Sequence, residues 1–171
     1  MTTWLDLAGE HRGTAQSALV AEVRDLCDQL GTPGLDRDQS DAGVWTDVLF
    51  IVLPLIGSPH ASIQLRMTEE AIFGTWDDKH YLWDATRDGE EPLRVQGVDQ
   101  AARAEAIRWL DRQLKRRLVQ RTYEWGPFRQ STWAHEDDDD VFWSDIQGSP
   151  FARLPGSRLI EERDSGFLAT P

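Results

Sequence analysis

This 171-residue chain contains one cysteine, two lysines and no asparagine. Cys27 cannot form an internal disulfide, and a tetrahedral thiolate zinc site would need partners that the chain lacks. We therefore expect a reducing compartment, with Cys27 packed in the core as free cysteines usually are. Because sixteen of the eighteen basic residues are arginine, we interpret the composition as codon bias of a high-GC bacterial genome.

Long hydrophobic runs are also missing. No apolar stretch reaches the roughly 18–20 residues that a helix needs to span a bilayer, and the N-terminal segment lacks the regions of a signal peptide. We expect a cytoplasmic protein that does not bind membranes. The chain contains no GxSxG elbow, Walker loop or GxGxxG motif. The sequence therefore predicts no catalytic residue, no metal site and no cofactor, and it favours a non-enzymatic role.

Positive charge is scarce and unevenly distributed. The net charge is −12, yet residues 103–121 carry seven basic and two acidic side chains, which leaves net −17 for the remainder. Hydrophobic residues make up 40% and charged residues 28% of the chain, proportions typical of a globular protein. We expect one domain over residues 1–171, with most of the acidic excess on its surface.

Two amphipathic helices are predicted from apolar residues that recur every three or four positions. The first begins near Thr14 and ends at Gly31, which is followed by a proline. The second is capped by Asp99 and runs to about residue 117. Its outward face is basic, with Arg108, Arg112, Lys115 and Arg116. Asp111 is spaced to pair with Lys115.

Strands are predicted where β-branched and aromatic residues cluster or alternate with polar ones. The most apolar stretch, residues 47–56, predicts a central strand that ends or bulges at Pro54. The other predicted strands are 62–67, 71–76, 80–83, 118–125, 129–133 and an edge strand at 158–163. Turns are expected at residues 57–60 and 77–79, and a connecting loop at 34–43.

These elements predict an α+β fold. Strands that follow one another between two helices, without βαβ alternation, favour one antiparallel sheet of about five to seven strands with both helices on one face. The segment 135–157 contains five consecutive acidic residues and two Gly/Ser/Pro clusters. We predict that it forms a long acidic loop within the single domain.

Aromatic residues beside this acidic run suggest a surface that binds a basic protein, because rigid aromatics give affinity and carboxylates give steering. An inhibitor, a toxin-immunity protein or an adaptor would have this character. The alternative interpretation is that the aromatics only fix a long loop to the sheet. The predicted partner-binding residues are Trp133, Glu136, Asp137, Asp138, Asp139, Asp140, Phe142 and Trp143.

A different class of function is a small enzyme or ligand-binding domain. Its pocket would lie between the sheet and the second helix, with Arg121, Tyr123 and Glu124 near the rim. A third alternative is mimicry of nucleic-acid charge by spaced carboxylates. Direct binding to nucleic acid is not expected, because the net negative charge repels phosphates.

The basic face of the second helix can pair with acidic residues of the protein itself. The acidic residues 136–140 can dock near it within the same chain, or in a symmetry mate if the protein is a homodimer. An exposed ion pair stabilises a fold only weakly. Only the placement of these charges distinguishes an internal contact from a surface that is open to a partner.

Overall fold

The computed structural model describes residues 4–5, 7–8, 13–56, 58–78, 93–136, 141–144 and 155–167. These residues form an α+β fold with two helices and two sheets. The helices are α1 (Thr14–Leu30) and α2 (Gln100–Lys115). The strands are β1 (Leu7–Ala8), β2 (Asp41–Trp45), β3 (Val48–Leu55), β4 (Ser58–Met67), β5 (Ala71–Asp78), β6 (Leu93–Gln96), β7 (Arg117–Trp125), β8 (Phe128–His135), β9 (Val141–Ser144) and β10 (Arg158–Phe167).

The first sheet contains β1 to β6 in chain order. Strands β2 to β6 are antiparallel neighbours, whereas the short β1 pairs with β2 in parallel. Because side chains alternate between the faces of a strand, Leu49, Ile51 and Leu53 of β3 all point to the same side. This side forms the hydrophobic core, and both helices contribute residues to it.

The two helices bury the stripes that their apolar spacing predicts. Leu19, Val23 and Cys27 of α1 are fully buried, as are Leu110 and Leu114 of α2. Helix α2 packs on β5 and β6 and also contacts α1. The side chain of Asp99 accepts a hydrogen bond from the backbone N–H of Ala102 at 2.9 Å, which confirms the predicted N-cap.

The second sheet is antiparallel, with the strand order β10-β7-β8-β9. It meets the core of the first sheet where the rings of Trp76 and His135 lie edge to face, with centroids 4.8 Å apart. The indole N–H of Trp76 also donates a hydrogen bond to Oε1 of Gln113 on α2, at 2.9 Å. The Trp76 side chain therefore connects β5, α2 and β8.

Several predicted elements are confirmed. The central strand β3, both helices, the strands β7 and β8 and the edge strand β10 are all present. The register between β3 and β4 is irregular at Pro54/Leu55, as the proline predicted. The strands are divided between two sheets, whereas the sequence predicted a single one. The predicted strand at 80–83 lies outside the described residues.

Four predicted turns and loops are wrong in part. Ser58 to His60 belong to β4, and Asp77 and Asp78 extend β5, where turns were expected. Residues 41–43 of the predicted connecting loop form the start of β2. Within the predicted long acidic loop 135–157, Val141–Ser144 forms β9 and pairs with β8. In each case the backbone of a neighbouring strand provides hydrogen bonds that outweigh local turn propensity.

Candidate functional site

The residues predicted around the acidic run divide into three groups. Trp133 is partly buried and packs against the core. Glu136 is exposed, and its Oε1 lies 3.1 Å from Nη1 of Arg117, with which it forms an ion pair. The acidic run therefore begins beside the C-terminal end of α2, and its first carboxylate is neutralised by the chain's own arginine. Such an exposed pair contributes little stability.

The other predicted residues of this surface stay predictions. Asp137, Asp138, Asp139 and Asp140 lie outside the described residues. Phe142 and Trp143 belong to β9, where the backbone of Trp143 pairs with that of Trp133. The placement of their side chains also lies outside what the structure describes.

The residues of the alternative pocket lie in β7, in the second sheet. Arg121 Nε is 2.7 Å from Oε2 of Glu162. Glu124 Oε2 lies 2.7 Å from Nη2 of Arg158, and Tyr123 is half-buried. Helix α2 packs instead on β5 and β6, in the first sheet. The proposed pocket rim is thus occupied by cross-strand ion pairs, and its role in ligand binding stays a prediction.

The basic face of α2 is present. Arg108, Arg112 and Lys115 are exposed, and Lys115 Nζ forms the expected ion pair with Asp111, at 2.7 Å. The guanidinium of Arg116 turns back to Oε1 of Gln113, at 3.4 Å. This face is therefore a solvated helix surface with partial internal pairing.

A second acidic segment, which the sequence reasoning missed, spans residues 22–47. We call it the acidic strip. It contains seven acidic and two basic residues, so the segment carries net −5, and one of its acids, Glu22, pairs with Nε of Arg103 on α2 at 3.2 Å. It runs from the second half of α1 through the connecting loop and along β2. Asp25, Asp38 and Asp41 are exposed, and their carboxylates give the strip a high density of accessible negative charge.

Contacts between α1 and the connecting loop hold the strip together. Arg37 Nη1 lies 2.8 Å from Oδ1 of Asp28, and the same carboxylate oxygen accepts a hydrogen bond from the indole N–H of Trp4 at 3.0 Å. The guanidinium carbon of Arg37 stands 4.5 Å from the centroid of the Trp4 ring. Arg37 thus fixes the connecting loop to α1 by its ion pair with Asp28. Its cation–π contact joins Trp4 of the N-terminal segment to the same cluster.

Trp45 ends the strip at the C-terminus of β2 and is 53% exposed. The next two residues, Thr46 and Asp47, form the turn to β3 with φ values of 47° and 67°. Both lie in the left-handed region, which is unfavourable for a β-branched residue such as Thr46. The two residues close the hairpin between Trp45 and Val48, and positive φ at both central positions matches the twist of the flanking strands.

The turn is also fixed to the start of α1. Gln16 Nε2 donates a hydrogen bond to the backbone carbonyl of Asp47 at 3.2 Å, while its Oε1 accepts one from the N–H of Gly13 at 3.1 Å. One glutamine side chain therefore caps the helix and holds the turn. These contacts connect residues far apart in the sequence and fix the backbone of the turn that follows Trp45.

A shallow cleft of about 570 Å³ lies beside this turn. The first turn of α1, the β2–β3 turn, the β4–β5 turn and Val98 line it. Asp47 and Glu69 both contribute to its walls, whereas the first turn of α1 contains no acidic residue.

Cys27 is fully buried, as the sequence predicted. Burial raises the pKa of its thiol from 9.0 to about 12, so the reactive thiolate is not populated at neutral pH. Within the part of the chain that the structure describes, no group of three or more His, Cys, Asp or Glu side chains is arranged to hold a metal ion. Neither described helix has the length and hydropathy of a membrane-spanning segment.

Comparison of the chain with known protein families, with curated proteins and with solved structures gives no match.

Proposed function

We propose that this chain is a non-enzymatic, acidic cytoplasmic protein that binds a basic protein partner. The observation that carries the proposal is the position of the exposed Trp45 at the end of an acidic strip of net −5. An inhibitor, an immunity protein or an adaptor would use such a surface. Its carboxylates would face lysine and arginine side chains of the partner.

Charge and aromatic surface contribute differently to this kind of binding. Carboxylates such as those of Asp25, Asp38 and Asp41 attract a basic surface over a distance and raise the association rate. A partly desolvated tryptophan supplies the binding free energy, because Trp is among the residues that most often dominate protein interfaces. The acidic strip combines both within one continuous segment of the fold.

The rigidity of the Trp45 position supports the proposal. The left-handed turn at Thr46 and Asp47 is held by the hydrogen bond from Gln16. A backbone segment that is ordered before binding loses less conformational entropy on association.

Affinity capture from native lysate, followed by mass spectrometry, tests the proposal. The wild-type chain is the bait, beside a variant with Asp25→Asn, Asp38→Asn and Asp41→Asn. We expect the wild type to enrich a basic protein, with a pI above about 9, and to release it as salt screens the charges. The triple variant should capture roughly tenfold less of this protein, because three steering carboxylates are removed.

A matched control keeps the overall charge equal. Glu70→Gln, Glu105→Gln and Glu161→Gln also remove three exposed carboxylates, so both triple variants carry net −9. This control should capture as much partner as the wild type. If both triple variants capture equally less partner than the wild type, the net charge of the chain and not the acidic strip determines binding. If neutralising residues 136–140 abolishes capture while the strip variant binds normally, the partner binds at the acidic run and the strip is not the site.

A further inference from the structure

A cluster of exposed apolar side chains lies at the end of the second sheet. Phe128 is 56% exposed, and the cluster consists of Trp125, Phe128, Leu159 and Ile160. We call it the apolar tip. The rings of Trp125 and Phe128 stack across the β7–β8 turn, with centroids 6.5 Å apart and an interplanar angle of 24°. Exposed patches of this kind mark interaction surfaces more often than scattered single residues do.

The strand register places most of the tip on one face. Trp125 pairs with Phe128, and Leu159 pairs with Tyr123, two positions before Trp125 on β7. Since side chains two residues apart, and side chains that pair across strands, point to the same face, Trp125, Phe128 and Leu159 share it with Tyr123. Ile160 falls at a register shift between β10 and β7. The indole N–H of Trp125 donates a hydrogen bond to the carbonyl of Pro155 at 3.2 Å. The tip is therefore a formed surface rather than a set of loose side chains.

The strands of the second sheet differ in charge from the rest of the chain, which includes the acidic run 136–140 between β8 and β9, at the end of β8 opposite Phe128. Its four strands contain five arginines and four acidic residues, which gives net +1, so the remainder carries net −13. Near the tip the charged groups pair across strands. Oε2 of Glu124 lies 2.7 Å from Nη2 of Arg158, and Nε of Arg121 lies 2.7 Å from Oε2 of Glu162. This end of the molecule is close to electrically neutral.

We propose that a second copy of this chain covers the apolar tip and forms a two-fold symmetric dimer. Two molecules of net −12 repel each other over most orientations, but contact through the second sheet brings together their nearly neutral ends. A basic partner has the opposite preference, because the acidic strip attracts it and the tip does not. In a two-fold contact the same patch is used on both copies, so each tip buries the other.

The stacked aromatic pair is the centre of this interface. Trp and Phe bury large apolar areas and gain further free energy from ring contacts. The paired charges of Glu124 and Arg158 remain at the border, where their ion pair tolerates partial solvent exposure. The dimer leaves Trp45 available, because it lies in the first sheet. This inference is independent of the proposed binding of a basic protein.

Sedimentation velocity over a concentration series tests the dimer. We expect the wild type to convert from monomer to dimer by about 100 µM, a modest affinity for a small apolar interface. Phe128→Ser and Leu159→Ser should each raise the dimer dissociation constant by roughly tenfold or more, as loss of a central contact does. High salt should maintain the dimer, because burial of apolar area drives it and screening removes the remaining repulsion.

Trp45→Ser and Ile56→Ser are the matched controls. Trp45 and Ile56 are exposed to 53% and 61% in the first sheet and its border, and their replacement should leave the dimer unchanged. A wild-type chain that remains monomeric at about 100 µM would overturn the proposal. So would a Phe128→Ser variant that dimerises as tightly as the wild type, or a dimer that only the first-sheet variants disrupt. Circular dichroism of each variant confirms that the fold is retained.

Discussion

Gly74 of β5 lies directly beneath the ring of Trp109 on α2. A Cβ atom at position 74 would stand 2.7 Å from Cζ3 of that ring and 2.9 Å from two more of its carbons. Real side chains do not approach so closely, so only glycine lets the helix pack at this distance. Trp109 is 3% exposed and fills the space between α2 and the sheet.

Gly74→Ala should lower the free energy of unfolding by about 1–3 kcal/mol, the usual cost of overpacking a core. The control is Gly43→Ala in β2, where a Cβ would meet no atom within 4 Å. That substitution should be neutral or slightly stabilising, since alanine has less freedom in the unfolded chain. Urea unfolding curves measure both variants. Equal stability of the two would contradict the close packing of Trp109.

Asp99→Ala should destabilise the fold by about 0.5–2 kcal/mol, because the first turn of α2 loses its side-chain acceptor. Asp99→Ser retains an oxygen at the cap and should recover most of this loss. The Asp99 side chain accepts from Ala102 N at 2.9 Å, and a shorter hydroxyl can still reach this donor. Thermal unfolding compares the three proteins. An alanine variant as stable as the serine variant would refute the cap.

Thr46→Asn should stabilise the chain by about 1 kcal/mol, because asparagine tolerates the left-handed backbone better than a β-branched residue. Thr46 has a φ of 47°. Thr75→Asn, the same substitution within β5, should destabilise, since asparagine is unfavourable in strands. Chemical denaturation gives both values. Destabilisation by Thr46→Asn would show that the threonine side chain has a compensating contact.

Cys27 should be unreactive toward thiol reagents in the native protein at pH 8 and fully reactive once the chain is unfolded. Burial raises the pKa of its thiol from 9.0 to about 12. The folded chain therefore retains this proton after the unfolded chain has lost it, and stability falls as pH rises from 9 toward 12. The decline should be weaker in Cys27→Ala. Identical pH profiles for the two proteins would contradict the raised pKa.

The sequence could predict the elements whose pattern is local. Apolar spacing identified α1 and α2, and the dense apolar stretch identified β3. Strand β9 was missed because its four residues follow an acidic run, and β6 because it is equally short. Asp77 and Asp78 resemble a turn, yet they pair with Ser62 and Ala61 of β4. Pairing of this kind depends on tertiary structure, which a local pattern does not contain.

The acidic strip was harder to predict than the acidic run. Seven acidic residues spread over residues 22–47 are less conspicuous than five consecutive ones. The net charge summed over successive windows of the sequence would have identified the strip. The exposure of Trp45, however, depends on which elements pack on the first sheet, and this is a property of the tertiary structure. The turn at Thr46 and Asp47 has no glycine or asparagine to signal its left-handed backbone. Its geometry came only from the structure.

The central claim is tested most directly by the affinity of the captured partner for two variants, Trp45→Ser and Trp125→Ser. Both tryptophans are exposed, but only Trp45 adjoins the acidic strip. Isothermal titration should give a dissociation constant roughly tenfold higher for Trp45→Ser, the usual effect of losing an interface tryptophan, and an unchanged one for Trp125→Ser. Unchanged affinity of Trp45→Ser would contradict the claim that the acidic strip and its tryptophan bind the basic partner.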